Sequence, residues 1–447
     1  MTVAVVGAGP AGTRAAEVLV QAGLRPVVID EAPDNGGRIY QRPPAGFRRS
    51  DGDLYGTEAH KAQALHRRFD QLRGAIDLRA STLVWDVRPQ QLLTLRDGRS
   101  ETIGFEQAIL CTGAMDRVIP LPGWTLPGVY TLGGAQVALK TQGCAIGQAV
   151  AFLGTGPLLW LVAYQYAKAG ARVAAVLDTT DFATKAWRTG GLLRGGRTFL
   201  NGLRYVGWLR WRGVRIVEGV VPEAIEGDGE VTGLRYRTRH GTHHIACDAV
   251  GIGWGLKPET QLADLAGVSF AFDPVQRGWL PVRNEAGRTD IRGIYLAGDG
   301  VRIGGADVAE LAGARVAWAV VEDRGLPVDH AAVARLDRAL QRQAKFRQAL
   351  DRAFPYPHRL AAGMADDTIL CRCEAITAGA MRAAATAEVN RTKALTRIGM
   401  GRCQGRVCGP AAAEVLAAAL GCPVEQVGRL RGQPPVKPIP MRTAAAG

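Results

Sequence analysis

Several things are missing from this chain, and each absence closes a class of answers. No run of about 18 apolar residues occurs, so no membrane-spanning helix is expected. The opening residues carry no charged leader and no small-residue cleavage pattern. A cytoplasmic location follows as the expectation, with the inner-membrane surface as a peripheral alternative. No C-x-x-C pair occurs among the eight cysteines, which removes the usual dithiol redox centre. Only seven histidines are present, and none stands in the pattern of a general base, so no catalytic residue is assigned. His240, His243 and His244 in "HGTHH" read as a polar hairpin turn rather than a metal cluster. Lysine is scarce, and arginine supplies most of the net charge of +14. The arginines are spread along the chain and no nucleic-acid motif accompanies them, so a nucleic-acid partner is not expected.

What is present begins at once. A length of 447 residues with 47% hydrophobic content predicts two or three domains with real cores. "VAVVGAGPAGTRAAEVLVQAGLRPVVIDE" reads strand, tight turn, helix, strand. Gly7 permits the turn, Gly9 lets the backbone approach a pyrophosphate, and Gly12 lets the helix pack on the strand. Pro10 and Ala11 open the helix whose free N–H groups favour the phosphates. Asp30, with Glu31 beside it, closes the second strand where a carboxylate would meet a ribose. Gly37 and Arg38 lie in the following glycine-rich loop, and Thr112 and Gly113 end a later buried strand. "AVAFLGTGPLLWLVAYQYAKAGARVAAVLD" repeats the opening pattern with Gly154, Gly156 and Asp178. Leu159 occupies its third glycine position, so the second nucleotide site is weaker than the first. "IRGIYLAGDG" is a strand ending on Gly298 and Asp299.

Beyond residue 326 a polar helical stretch leads to four clustered cysteines: Cys371 and Cys373, then, about 30 residues later, Cys403 and Cys408. Four thiolates suit an iron–sulfur cluster or zinc. Thr377 is expected to cap a helix running toward Thr396, and Pro410 to open another. The Pro-rich end is expected to be extended or disordered. Between Lys185 and Arg215, arginines alternate with Trp187, Tyr205, Trp208 and Trp211. That segment reads as a docking face for an acidic partner or a membrane surface, or as tryptophans folded inward onto the second domain.

The order of motifs from Met1 to Gly325 resembles the two-dinucleotide-domain flavoproteins related to glutathione and thioredoxin reductases. The resemblance implies FAD on Gly7, Gly9, Gly12, Asp30 and Asp299. It implies NAD(P), another adenine nucleotide or a second flavin at a subunit interface for the second unit. The redox cysteine pair and the acid–histidine base of the disulfide reductases are missing, so disulfide reduction is not expected. The cysteine region resembles the bacterioferritin-associated-ferredoxin-like [2Fe-2S] domain, departing from it in its C-x4-C close. The whole layout resembles the electron-transfer subunit of bacterial opine and D-hydroxyproline dehydrogenase and hydrogen cyanide synthase complexes. That resemblance implies three partners: an oxidase-like catalytic subunit, a small ferredoxin-like subunit and an external electron acceptor. The alternative is a stand-alone NAD(P)H oxidoreductase with a fused cluster domain. The expected fold is α/β, with two Rossmann-like domains, the second inserted in the first, and a small mainly helical C-terminal domain. The expected boundaries are 1–120 with 258–325, 121–257, a connector at 326–365, a cluster domain at 366–428 and a tail at 429–447.

Overall fold

The computed structural model describes residues 2–44, 46–47, 49–187, 189–192 and 195–440. Its first sheet has five parallel strands in the order Ile294–Leu296, Gln107–Leu110, Val3–Val6, Val27–Ile29, Asp77–Arg79. The strands Gln107–Leu110 and Val3–Val6 are buried at every position, because helices cover both faces of a parallel sheet. A second five-stranded parallel sheet runs Ile216–Glu218, Arg172–Asp178, Ala149–Thr155, Ala249–Trp254, Val129–Thr131. Each sheet has a three-stranded antiparallel meander beside it, 83–104 in one unit and 221–246 in the other. The fold is α/β with Rossmann-like sheets, as the duplicated motif predicts. The "HGTHH" segment is a hairpin, with His243 stacked on Tyr236.

An antiparallel ribbon of Ala114–Asp116 and Leu256–Pro258 joins the two units. The C-terminal region is mainly helical: 378–383, 389–396 and 409–420 follow the short strand Ile369–Cys371. Thr377 caps the first of these through Ala380 N–H, but that helix stops at Ala383. Glu388 accepts from the amides of Asn390 and Arg391 and starts a new helix, so one expected helix is two. The polar connector is a 24-residue helix, His330–Ala353. The described part of the tail takes the extended rather than the disordered form of the expectation, and it is docked. Val436 N–H donates to Trp85 O, and the Pro435 and Val436 carbonyls accept from Gln404 and Arg406. Residues 441–447 lie outside the described residues.

The first cradle depends on close packing of helix Pro10–Gln21 against helix Ala306–Asp323. Small residues make that approach possible, and Gly313 marks its tightest point: a Cβ there would stand 1.9 Å from the Ala11 carbonyl oxygen. Gly313→Ala should therefore cost about 3 kcal/mol through overpacking. Gly202→Ala, where nothing lies within 4 Å of the added Cβ, should be neutral or stabilising. Thermal unfolding of both variants checks this; equal midpoints would contradict the packing argument.

Candidate functional site

The strand Val3–Val6 ends in Gly7, whose φ of +102° a side chain rarely adopts. A Cβ at Gly7 would also meet the Cys111 carbonyl at 2.4 Å, and one at Gly12 the Gly7 carbonyl at 1.7 Å. Gly9 differs. Its φ of −71° suits any residue, and its nearest neighbour to an added Cβ is the Gly37 Cα at 3.6 Å. The two glycines face each other across the start of helix Pro10–Gln21, which has no side-chain cap. Open backbone and uncapped N–H groups leave the geometry of a phosphate cradle.

The two half-buried acids predicted to bind the cofactor shape this cradle from within. Asp30 accepts from Ala8 N–H at 2.5 Å and from Ala32 N–H at 2.7 Å. Asp299 accepts from Gly304 and Gly305 N–H at 2.8 and 2.9 Å. Burial pushes both carboxyls above their ordinary value, and the amide donors pull them back. Glu31 forms an ion pair with Lys437 of the tail.

One cavity of about 800 Å³ runs past these groups. Gly7, Gly9, Pro10, Ala11, Asp30 and Glu31 line one part of it. Gly37, Arg38, Thr112, Gly113, Gly156 and Asp299 line the rest of the predicted set's share. Gly12, Gly154 and Gly298 stand outside it and serve backbone packing; a Cβ at Gly154 would lie 1.7 Å from Gly253 O. Asp178 also stands outside the cavity. It is fully buried, with its carboxylate on Lys185 Nζ at 3.0 Å and Thr180 N–H at 2.9 Å. Leu159, at the missing glycine, is core. Sequence reasoning missed contributors from three distant segments: Arg347 and Leu350 of the connector helix, Val436 and Lys437 of the tail, and Arg406 of the cysteine loop. No local pattern marks the first two. Arg406 could have been noticed, since it sits between two cysteines.

The four clustered cysteines come together in pairs. Cys371 and Cys408 stand close enough to perturb each other's ionisation, as do Cys373 and Cys403. Cys408 also feels the charges of Cys371, Cys403 and Cys373. The neighbouring Cys408 holds the Cys371 thiol down at about 6, and Cys371 together with burial pushes Cys408 up. Among the described residues no three Cys, His, Asp or Glu side chains stand in a metal-ready group. Gly401 abuts Cys373 so closely that a Cβ there would lie 2.2 Å from the cysteine Cβ. Arg406 and Val407 carry the cysteine loop to the cavity wall.

The basic aromatic segment divides by helical period. On helix Arg197–Trp211, Tyr205 and Leu209 are buried and Trp208 packs edge-on to Tyr164 at 5.0 Å. Leu200, Leu203 and Trp211 face out, Trp211 being 76% exposed. The side chains of Trp187, Arg188, Arg194 and Arg197 lie outside the described residues.

Near the glycine loop, Lys140 is 4% exposed and donates to Ile39 O at 3.1 Å. Burial lowers its ammonium to about 8 from 10.5. Between those values the unfolded chain holds a proton that the folded chain has shed, so stability should rise with pH across that window. Lys140→Met should remove the rise and stabilise the protein at pH 7 by up to about 3 kcal/mol. Urea unfolding at pH 7 and pH 10 measures both.

Residues 1–315 match the family model "Pyridine nucleotide-disulphide oxidoreductase", and residues 373–447 match "Sarcosine oxidase A3 domain". An opine oxidase subunit of Rhizobium meliloti is 34% identical over 455 residues, covering 98% of this chain and 86% of the relative. Hydrogen cyanide synthase subunit HcnB of Pseudomonas protegens is 33% identical over 461 residues, covering 98% and 96%. The solved structure of L-proline dehydrogenase from P. horikoshii superposes with a TM-score of 0.72 at 19% identity, covering 100% of this chain and 80% of that one. Thioredoxin reductase from T. acidophilum gives 0.53 at 20% identity, covering 72% and 98%. These two likenesses speak for the fold.

The Gly9–Gly37 gap offers a clean test of the cradle. Gly9→Ala has room to fold, yet places a methyl group where a pyrophosphate would lie. It should melt within a degree or two of wild type and hold FAD at least tenfold more weakly, read by flavin fluorescence on dilution. Unchanged FAD retention would contradict the assignment.

Proposed function

The chain belongs to the pyridine nucleotide-disulphide oxidoreductase family, and from that membership we propose that it is the flavin and iron–sulfur electron-transfer subunit of a multi-subunit dehydrogenase. It is a flavin-dependent oxidoreductase, homologous to subunits of opine oxidase and hydrogen cyanide synthase. Its relatives are subunits of multi-subunit enzymes. The proposed substrate class is an opine, D-hydroxyproline or similar secondary amine, oxidised in a partner subunit. The observation that carries this reading is the placement of the cysteine loop against the dinucleotide cavity, with Arg406 between Cys403 and Cys408 lining its wall.

The cradle fits FAD: a Cβ-free gap, uncapped helix N–H groups and two half-buried acids organising the turns. Gly7, Gly9, Pro10 and Ala11 would hold the pyrophosphate, and Glu31 or Asp30 the ribose. Thr112, Gly113, Gly37, Arg38 and Asp299 would line the rest. The chemistry of the donor set Cys371, Cys373, Cys403 and Cys408 suits a [2Fe-2S] cluster, two thiols per iron. When bound, the flavin supplies two-electron and the cluster one-electron chemistry.

NAD(P) belongs to the family's repertoire, but this chain's second unit gives it little to hold. Lys185 neutralises Asp178, and Leu159 fills the helix–strand contact that a glycine would leave open. We therefore place an adenine nucleotide held for structure, or a flavin at the subunit seam, ahead of a hydride donor. The outward row of Leu200, Leu203 and Trp211 is the proposed docking face for the catalytic partner, since an exposed apolar stripe favours association. No helix of the described residues is long and apolar enough to cross a membrane.

Anaerobic purification of the chain with its genomic neighbour tests the reading. About two irons and two sulfides per chain are expected, with dye reduction by an opine or hydroxyproline only when the partner is present. Stoichiometric zinc, or rapid flavin bleaching by NADH in the isolated chain, would favour the stand-alone alternative or a purely structural metal.

A further inference from the structure

A smaller cavity of about 150 Å³ lies where the interdomain ribbon, the hairpin Phe270–Asp273/Gly278–Pro281 and the cysteine loop meet. Its charge is lopsided. Arg117, Lys257, Arg277, Arg406 and Arg429 line it, against the single carboxylate of Glu259. Three of these cations are matched: Arg277 by Glu414, Arg406 by Glu259, and Arg429 by Asp264. Arg117 and Lys257 form no ion pair among the described residues.

Arg117 is the informative one. It is 7% exposed, and its guanidinium is steadied by the carbonyls of Gln276 and Arg277 at 2.5 and 2.8 Å. It stacks 3.5 Å over the Tyr356 ring. Its Nε has no partner. A buried guanidinium held by neutral oxygens and a ring face, with no carboxylate in direct contact, has its desolvation only partly offset. Trp279 Nε1, in the same cavity, is a second buried donor without a partner. The N-terminal end of helix Gly409–Leu420 enters through Gly409 and Pro410 and adds the positive end of a 12-residue dipole. Every one of these features awaits an anion. The buried acceptor without a partner is Gln261 Oε1. It would take a proton that a protonated oxyanion carries and that sulfate or a carboxylate lacks at neutral pH. The volume, well below the roughly 300 Å³ of the smallest drug-sized sites, excludes a whole nucleotide.

We propose that this cavity is a binding site for a phosphate group, held by Arg117, Lys257 and Trp279 and read by Gln261. It is distinct from the dinucleotide cradle, because no residue of the Gly7–Gly12 turn lines it. Arg117 and Arg406 line both cavities, so an occupant would brace the cysteine loop against the interdomain ribbon.

The test is calorimetric titration of the full-length, FAD-loaded protein with inorganic phosphate in chloride buffer at constant ionic strength. One saturable site is expected, with sulfate at least tenfold weaker. Lys257→Met should weaken phosphate at least tenfold with flavin content unchanged, and Arg117→Met should weaken it further. Should Arg117→Met fail to fold, Lys257→Met decides alone. Gln261→Met should erase the preference for phosphate over sulfate. AMP identifies the source: weaker binding than phosphate assigns the free ion, and tighter binding assigns a phosphomonoester reaching in from the larger cavity. Absence of a saturable site, or an unchanged affinity in Lys257→Met, overturns the proposal.

Discussion

Glu259 is the residue on which the rest of the site depends. Its amide donates to the Gly113 carbonyl at 2.9 Å, and its own carbonyl accepts from Thr112 Oγ1 at 2.5 Å. Its carboxylate takes Arg406 at 2.7 Å and the amide of Gln261 at 3.1 Å. One residue thus fixes the turn of the first unit, the exit of the second and the loop between two cysteines. Backbone groups of Glu259 do the first two tasks, so they survive a change of its side chain. The third rests on a largely buried ion pair, whose worth lies in geometry more than in net stability. The cysteine loop is therefore held to the cavity wall by a contact that specifies position.

The same logic explains one use of the chain's many arginines. Arginines meet buried acids at the seams: Arg277 grips Glu414 with two bonds of 2.8 Å, and Arg429 grips Asp264 at 2.7 and 2.8 Å. Bidentate pairing of this kind is what guanidinium does and ammonium does not, which accounts for a composition rich in arginine and poor in lysine. Both acid side chains are only 5% exposed, so losing either arginine would strand a buried charge. These two arginines act as internal mortar at the seams.

How far the sequence revealed this depends on the range of the forces involved. The first cradle was legible because strand, turn, helix and acid lie within about 30 residues and obey local steric rules. The duplicated unit was legible for the same reason, and each sheet places its two glycine-turn strands side by side in parallel. The connector helix and the tail were not. Arg347 and Leu350 read as solvated helix, and "PPVKPIP" as a loose end, because only tertiary packing brings them to the cavity. The aromatic segment was half legible. Its composition raised two destinations for its tryptophans, and the helix sends Trp208 to one and Trp211 to the other.

Asp178 shows how one sequence pattern can end in two chemistries. Asp30 and Asp178 both close the second strand of a glycine-turn unit, the first half-buried and the second fully buried, and desolvation raises both carboxyls. Asp30 is satisfied by backbone amides, which compensate its charge while leaving it on the cavity wall. Asp178 is satisfied by a cation, Lys185, which Glu218 also grips at 2.7 Å. A carboxylate paired in this way has little left to offer a ribose hydroxyl, since breaking the pair would leave a buried charge uncompensated. The second unit thus has the strand, turn and helix of the first, with its acid paired to a lysine. Its Gly156 turn still opens onto the shared cavity. The difference between the two acids rests on a single cation a few residues beyond the strand, which no glycine motif can report.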